Sequence, residues 1–118
     1  MDNQLVEDIK SSRAELDKRG WCKGDLVNEQ GNVCALGAIG CALLDDFAYH
    51  ATVGHLPYNA LENSQRARAV IIEVAKHGTL SRSGGEIARV YEINDTASSV
   101  DEVKLFFDKA LADLGGLA

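Results

Sequence analysis

Between Asp2 and Arg19 the apolar residues Leu5, Val6, Ile9 and Leu16 recur on one side of a 3.6-residue period, with charges on the other sides. That spacing predicts an amphipathic helix, closed by Gly20 at the C′ position. From Trp21 to Val33 the periodicity stops, and Gly24, Asn28, Gly31 and Asn32 are residues of turns. Within this stretch Leu26-Val27 and Asn32-Val33-Cys34 have the spacing of a minor two-stranded hairpin over 25–34, folded across Asn28–Gly31. A second helix is predicted from Ala35 to about Tyr49, with Leu36, Ile39, Leu43 and Phe47 as its apolar stripe. Gly37 and Gly40 lie beside that stripe. Each costs about 1 kcal/mol relative to alanine in a helix interior, so close approach of another backbone is the expected reason for them.

Ala51 to Pro57 reads as a linker. A third helix is expected from around Tyr58 or Asn63 to Lys76, with Val70, Ile71 and Val74 inward and Gly78 ending it. Ser81–Gly85 reads as a loop. Ser83 and Glu86 have capping-box spacing for a short helix through Ile87, Val90 and Tyr91, and Asn94-Asp95 is expected to break the pattern after it. Ser99 and Glu102 repeat the capping device before a last helix, whose Val103, Phe106, Phe107, Ala110 and Leu111 form an apolar stripe. The prediction is a single all-α domain over 1–118, a compact bundle of about five helices.

Composition narrows the function classes. The 118 residues are 46% hydrophobic and 25% charged, which suits a folded chain with its own core. A net charge of -6 argues against general binding of nucleic acid or of an anionic membrane. Three cysteines cannot all pair with one another, so reduced thiols are expected. The N-terminus is acidic and has no apolar run behind it, so no secretory signal is expected. No apolar stretch approaches the length of a membrane span. A cytoplasmic protein is therefore expected.

The candidate chemistry centres on Cys34. At a helix N-terminus the unpaired N–H groups and partial positive charge favour a thiolate. The opposing reading is a small buried thiol that allows close helix packing. The order Cys34, then His50, His55 or His77, then Asn94 is also that of papain-like hydrolases, but the Gly-Ser-Cys-Trp context is missing. For an enzyme the candidate set is Cys34, His55 and Asn94. Metal binding is not expected. Cys22, Cys34 and Cys41 lack close paired spacing, and Cys34 and Cys41 would stand roughly 10 Å apart along a helix. No cofactor is expected either: the Ser81–Gly85 loop lacks the lysine of a phosphate loop.

Asn94-Asp95 offers an amide and a carboxylate that either bind a ligand or satisfy helix-terminal N–H groups. Trp21 is expected to pack over the Gly37–Gly40 helix, with its indole N–H bonded to the loop. His77 stands at a helix C-terminus, and Arg66, Arg68 and Lys76 read as a solvated helix face.

In motif order, Gly20-Trp21-Cys22-Lys23-Gly24, Cys34-Ala35-Leu36-Gly37-Ala38, Asn94-Asp95 and Ser99-Val100-Asp101-Glu102-Val103 run through most of the chain. In this it resembles a family of small, uncharacterised proteins encoded by actinobacteria and especially by their phages, mycobacteriophages included. Ile93 stands where that family tends to carry tryptophan. The resemblance implies a shared all-α fold and a phage origin, and it implies no activity. A small phage accessory protein that binds a host protein without catalysis is the leading expectation. Candidate binding residues are Trp21, Tyr49, Leu56, Tyr58, Asn94 and Asp95. The alternatives are a cysteine-centred hydrolase, transferase or small-ligand protein built on Cys34, and a DNA-binding regulator, which would need a basic face that the composition hardly provides.

Overall fold

The computed structural model describes residues 3–54, 56–78 and 85–115. Its helices are α1 (Asn3–Arg19), α2 (Ala35–Leu43), α3 (Phe47–Thr52), α4 (Pro57–Asn63), α5 (Gln65–Ala75), α6 (Glu86–Thr96) and α7 (Val100–Asp113). Seven helices, rather than about five, are found among the described residues, because two of the predicted helices are each interrupted. The predicted short helix before Asn94 is also longer than its pattern suggested. His55, Ser83 and most of the Ser81–Gly85 loop lie outside the described residues.

α2 is the centre of the packing and touches α1, α3, α5 and α6. Ala35, Leu36, Gly37, Ala38, Ile39 and Gly40 are all buried, as suits a helix that is apolar on every side. Its small residues admit neighbours that a larger side chain would exclude. A β-carbon on Gly37 would lie 1.9 Å from the Leu26 carbonyl oxygen. The expected approach of another backbone therefore holds at Gly37. At Gly40 the neighbour is the Phe47 ring, within 2.5 Å of a built β-carbon.

That ring also explains the first interruption. The expected Ala35–Tyr49 helix stops at Leu43; Leu44 is extended and Asp46 takes a left-handed conformation with φ 57°. The chain turns on itself so that Phe47 covers Gly40. A four-residue spacing from Leu43 to Phe47 looks helical in sequence, yet the two belong to different helices. The second interruption is at Ser64, whose ψ of 118° ends α4 and whose hydroxyl oxygen accepts the Ala67 N–H at 3.2 Å. Pro57 opens α4 at a position where its missing N–H costs no hydrogen bond. Ala51 and Thr52 belong to α3, so the linker is shorter than expected.

The predicted hairpin is reduced to single bridges, Trp21 with Val33 and Val27 with Val33, and no strand forms among the described residues. Gly20 caps α1 with φ 85°, and Cys34 leads directly into α2, which leaves no length for a ladder. Val33 is held from both sides, donating to the Gly20 carbonyl at 2.9 Å and accepting from the Cys22 N–H at 3.0 Å.

Around α2 the outer helices are tied by charge as well as by apolar contact. Asp8, buried on α1, accepts two bonds from the Arg66 guanidinium of α5, at 2.7 and 3.0 Å. Arg66 thus faces a buried carboxylate rather than forming a purely solvated face with Arg68 and Lys76. The guanidinium, followed by Gln4, holds the Asp8 carboxyl below the usual carboxylate range against the opposing effect of burial. Arg13 pairs with Asp108 at 2.7 Å and joins α1 to α7. On α7, Val103, Phe107, Ala110 and Leu111 are buried and the Ser99 hydroxyl caps the first turn, as the pattern predicts. Among the described residues no helix is long and apolar enough to cross a membrane.

Gly37→Ala tests the packing of α2. Helix propensity alone would add about 1 kcal/mol, but the overlap with the Leu26 carbonyl forces backbone displacement. The expected outcome in chemical denaturation is a net loss of about 2 kcal/mol.

Candidate functional site

The sequence-derived candidates separate into two groups. Trp21, Cys34, Asn94 and Asp95 come together where the 20–34 loop meets α6. Tyr49 and Leu56 stand apart from them, on the surface around the α3–α4 connection, while Tyr58 on α4 is near enough to Tyr91, Cys34 and Asp95 to be influenced by their charge.

The first group is built on the face of α6 that carries Tyr91, Asn94 and Asp95, residues spaced at i, i+3 and i+4. Asn94-Asp95 does not break this helix, which continues to Thr96. Asn94 is fully buried, and its Oδ1 accepts the Trp21 indole N–H at 2.7 Å and the Ala35 backbone N–H at 2.9 Å. Its Nδ2 donates to the Cys22 carbonyl at 3.1 Å and to Asp95 Oδ1 at 3.3 Å. Two acceptor positions and two donors are thereby all used. Asp95 Oδ1 also accepts the Gly24 N–H, and the Tyr91 hydroxyl donates to the Gly24 carbonyl. The loop is therefore held at Trp21, Cys22 and Gly24 by one helix. Asn94 does satisfy a helix-terminal N–H group, but that of α2 rather than of the helix that follows it.

Trp21 is only partly buried, with the Lys23 ammonium 5.6 Å from its ring centroid. The space at Gly37 and Gly40 that it was expected to cover is taken by Leu26, Val33 and Phe47. Ile93, next to Asn94, packs against Gly78, where a built β-carbon would lie 2.3 Å from it.

Cys34 is the N-cap of α2, and its sulfur accepts the Gly37 N–H at 3.4 Å. The helix terminus and burial act on the thiol in opposite directions. Burial dominates and pushes its pKa up to about 12, although the Gly37 and Leu36 N–H groups lower it. Near neutral pH the group is a protonated thiol inside the core. Cys22 and Cys41 are raised as well, chiefly by burial. Asn94, third in the papain-like order, is committed to its four hydrogen bonds. His77 lies 2.8 Å from Asp113, and the His50 ring stacks edge-on against Tyr49. Among the described residues no group of three His, Cys, Asp or Glu side chains is placed to hold a metal ion.

The second group is exposed. Tyr49 is 66%, Leu56 64% and Tyr58 44% accessible, and Val53, which sequence reasoning passed over, is 56%. Tyr49 and Val53 are four residues apart along α3 and its cap. Leu56 has φ 53°, a left-handed conformation unfavourable to leucine. Leu56, Pro57 and Tyr58 line a shallow hollow of about 400 Å³ with Gly54 and Asn59. Tyr58 also borders a cleft of about 340 Å³ whose lining includes Glu62, Arg68, Ile71, Ile72 and Ile87. Val53 had a legible signal: it is an apolar residue one turn after Tyr49 in a stretch otherwise read as linker.

Two outcomes are expected. Asn94→Ala strands the Trp21 and Ala35 N–H groups and lowers stability by about 3 kcal/mol, measurable as an earlier unfolding midpoint in urea. Cys34 resists iodoacetamide at about pH 8 in the folded protein and reacts once the chain is unfolded, as followed by peptide mass mapping. Rapid native labelling of Cys34 would contradict the burial described above.

No curated protein and no solved structure matches the chain. Residues 1–113 match the profile of the family of unknown function DUF6197. Because that match spans nearly the whole length, the chain belongs to this family.

Proposed function

We propose that this protein is a phage-encoded accessory protein of the host cytoplasm that acts by binding a host protein, without catalysis. The observation that carries the binding reading is the run of exposed apolar side chains at Tyr49, Val53, Leu56 and Tyr58. Isolated surface apolar residues need no explanation, but several together on neighbouring short helices are the usual composition of a contact surface. Leu56 adds a second argument. Its backbone conformation costs about 1–2 kcal/mol for a side chain that is mostly in solvent, so folding gains little in return. Aromatic residues such as Tyr49 and Tyr58 are frequent energetic anchors in interfaces. Against thiol chemistry stand the burial of Cys34 and the saturation of Asn94. The phage origin and host partner rest on the resemblance carried by the Gly20–Gly24, Cys34–Ala38, Asn94-Asp95 and Ser99–Val103 motifs.

Leu56→Gly separates binding from folding. Glycine adopts the observed φ without strain, so stability should be unchanged or raised by up to about 1 kcal/mol. Tagged wild-type protein should retain a stoichiometric partner from host cytoplasm, and both Leu56→Gly and Tyr49→Ala/Tyr58→Ala should lose it while melting normally. Absence of any partner, or its undiminished retention by these variants, would overturn the reading.

A further inference from the structure

Resting on the reading that the α3–α4 surface is a docking site, we infer that its occupant is a basic amphipathic segment of a partner protein. That segment presents an apolar stripe flanked by lysine or arginine. The basis is a segregation of charge that coincides with the exposed apolar residues.

From Gly24 to Gln65 the chain contains no lysine or arginine, while Asp25, Glu29, Asp45, Asp46 and Glu62 all fall in that stretch. Every lysine and arginine lies before it or after it, and His50 and His55 are the basic side chains within it. The apolar side chains Tyr49, Val53, Leu56 and Tyr58 are within this stretch free of lysine and arginine, and the acids Asp45, Asp46 and Glu62 near them in the chain are exposed. Asp46 precedes Tyr49 by one helical turn at the start of α3, with Val53 one turn further on. On α4, Tyr58 and Glu62 are spaced i, i+4 and border the same cleft. Each short helix thus combines an exposed apolar residue with a carboxylate about one turn away, and Leu56 lies between the two helices. Neither Asp46 nor Glu62 has an ion-pair partner within salt-bridge distance among the described residues. Arg68 of α5 is the cation that joins Glu62 and Glu86 in lining that cleft.

An apolar centre with an acidic rim selects its partner by sign. A basic segment gains Coulomb attraction on approach and is oriented by it, whereas an acidic one is repelled. The apolar hollow at Leu56, Pro57 and Tyr58 is suited to side chains repeating at i, i+3, i+4 and i+7 on a partner helix. A second copy of this chain would place the same acidic rim against itself if it docked through this surface symmetrically.

Two fluorescent helical peptides with the same leucine stripe test this, one with lysine and one with glutamate on the polar face, titrated against the full chain by anisotropy. The lysine peptide is expected to bind at least about tenfold tighter, with the preference shrinking as salt rises from about 50 to about 300 mM. Neutralisation by Asp45→Asn/Asp46→Asn/Glu62→Gln should remove the preference, and Leu56→Gly should weaken both peptides. A preference for lysine that survives neutralisation overturns the inference. Equal binding of both peptides, lost in Leu56→Gly, overturns the basic partner and leaves the apolar docking site in place. Failure of the lysine peptide to bind overturns the inference, while partner capture from host cytoplasm then decides the docking site separately.

Discussion

A single carboxamide holds the fold's least regular part to its most regular one. Asn94 lies in the interior of α6, and its two polar atoms reach the indole of Trp21, the carbonyl of Cys22 and the first N–H of α2. The first helical N–H groups have no partner within their own helix, and buried ones must find a partner elsewhere. α2 begins inside the core, so water is not available to it. Asn94 serves the N–H of Ala35, and the Cys34 sulfur serves that of Gly37. The same amide fixes the loop that brings the chain from α1 to α2. Removing it would affect the entry of the central helix and the path of the loop together.

The small residues of α2 follow from that central position. Gly37 admits the Leu26 carbonyl of the loop, and Gly40 admits the ring of Phe47. Glycine lowers the intrinsic stability of a helix, yet at these two points a methyl group would occupy space already filled. Cys34 fits the same logic. Its sulfur is small enough to be enclosed, weakly accepts an N–H, and loses the acidity that a solvent-exposed helix terminus would confer. The Trp21–Cys34–Asn94 cluster is thus accounted for by packing and hydrogen bonding throughout.

The α3 end of the surface proposed for binding is set apart from this cluster by the turn that the packing imposes. Because Phe47 folds back onto Gly40, α3 starts in a new direction, and Tyr49 and Val53 face outward while Phe47 is buried. The left-handed Leu56 then redirects the chain into α4. Two short helices joined by a constrained turn carry little core of their own. Their exposed side chains contribute correspondingly little to folding, which frees them for contacts with another molecule.

Local spacing in the sequence was enough to place α1, the inward face of α5 and the capped start of α7. These depend on neighbours three and four residues apart and on Ser and Gly at helix ends, all of which are read along the chain. The same rules pointed to Asn94 as a residue that satisfies an N–H group, but not to which one. Its partners are 59 and 73 residues away, and periodicity carries no information about such distances. For the same reason Leu43 and Phe47 read as one stripe, and only the ring over Gly40 shows that they belong to two helices. Tertiary packing likewise decided the ionisation of Cys34, since the helix terminus visible in the sequence lowers its pKa and the burial invisible there raises it further. It also decided which of Trp21, Tyr49, Leu56, Tyr58, Asn94 and Asp95 face solvent, because exposure depends on what the rest of the chain covers.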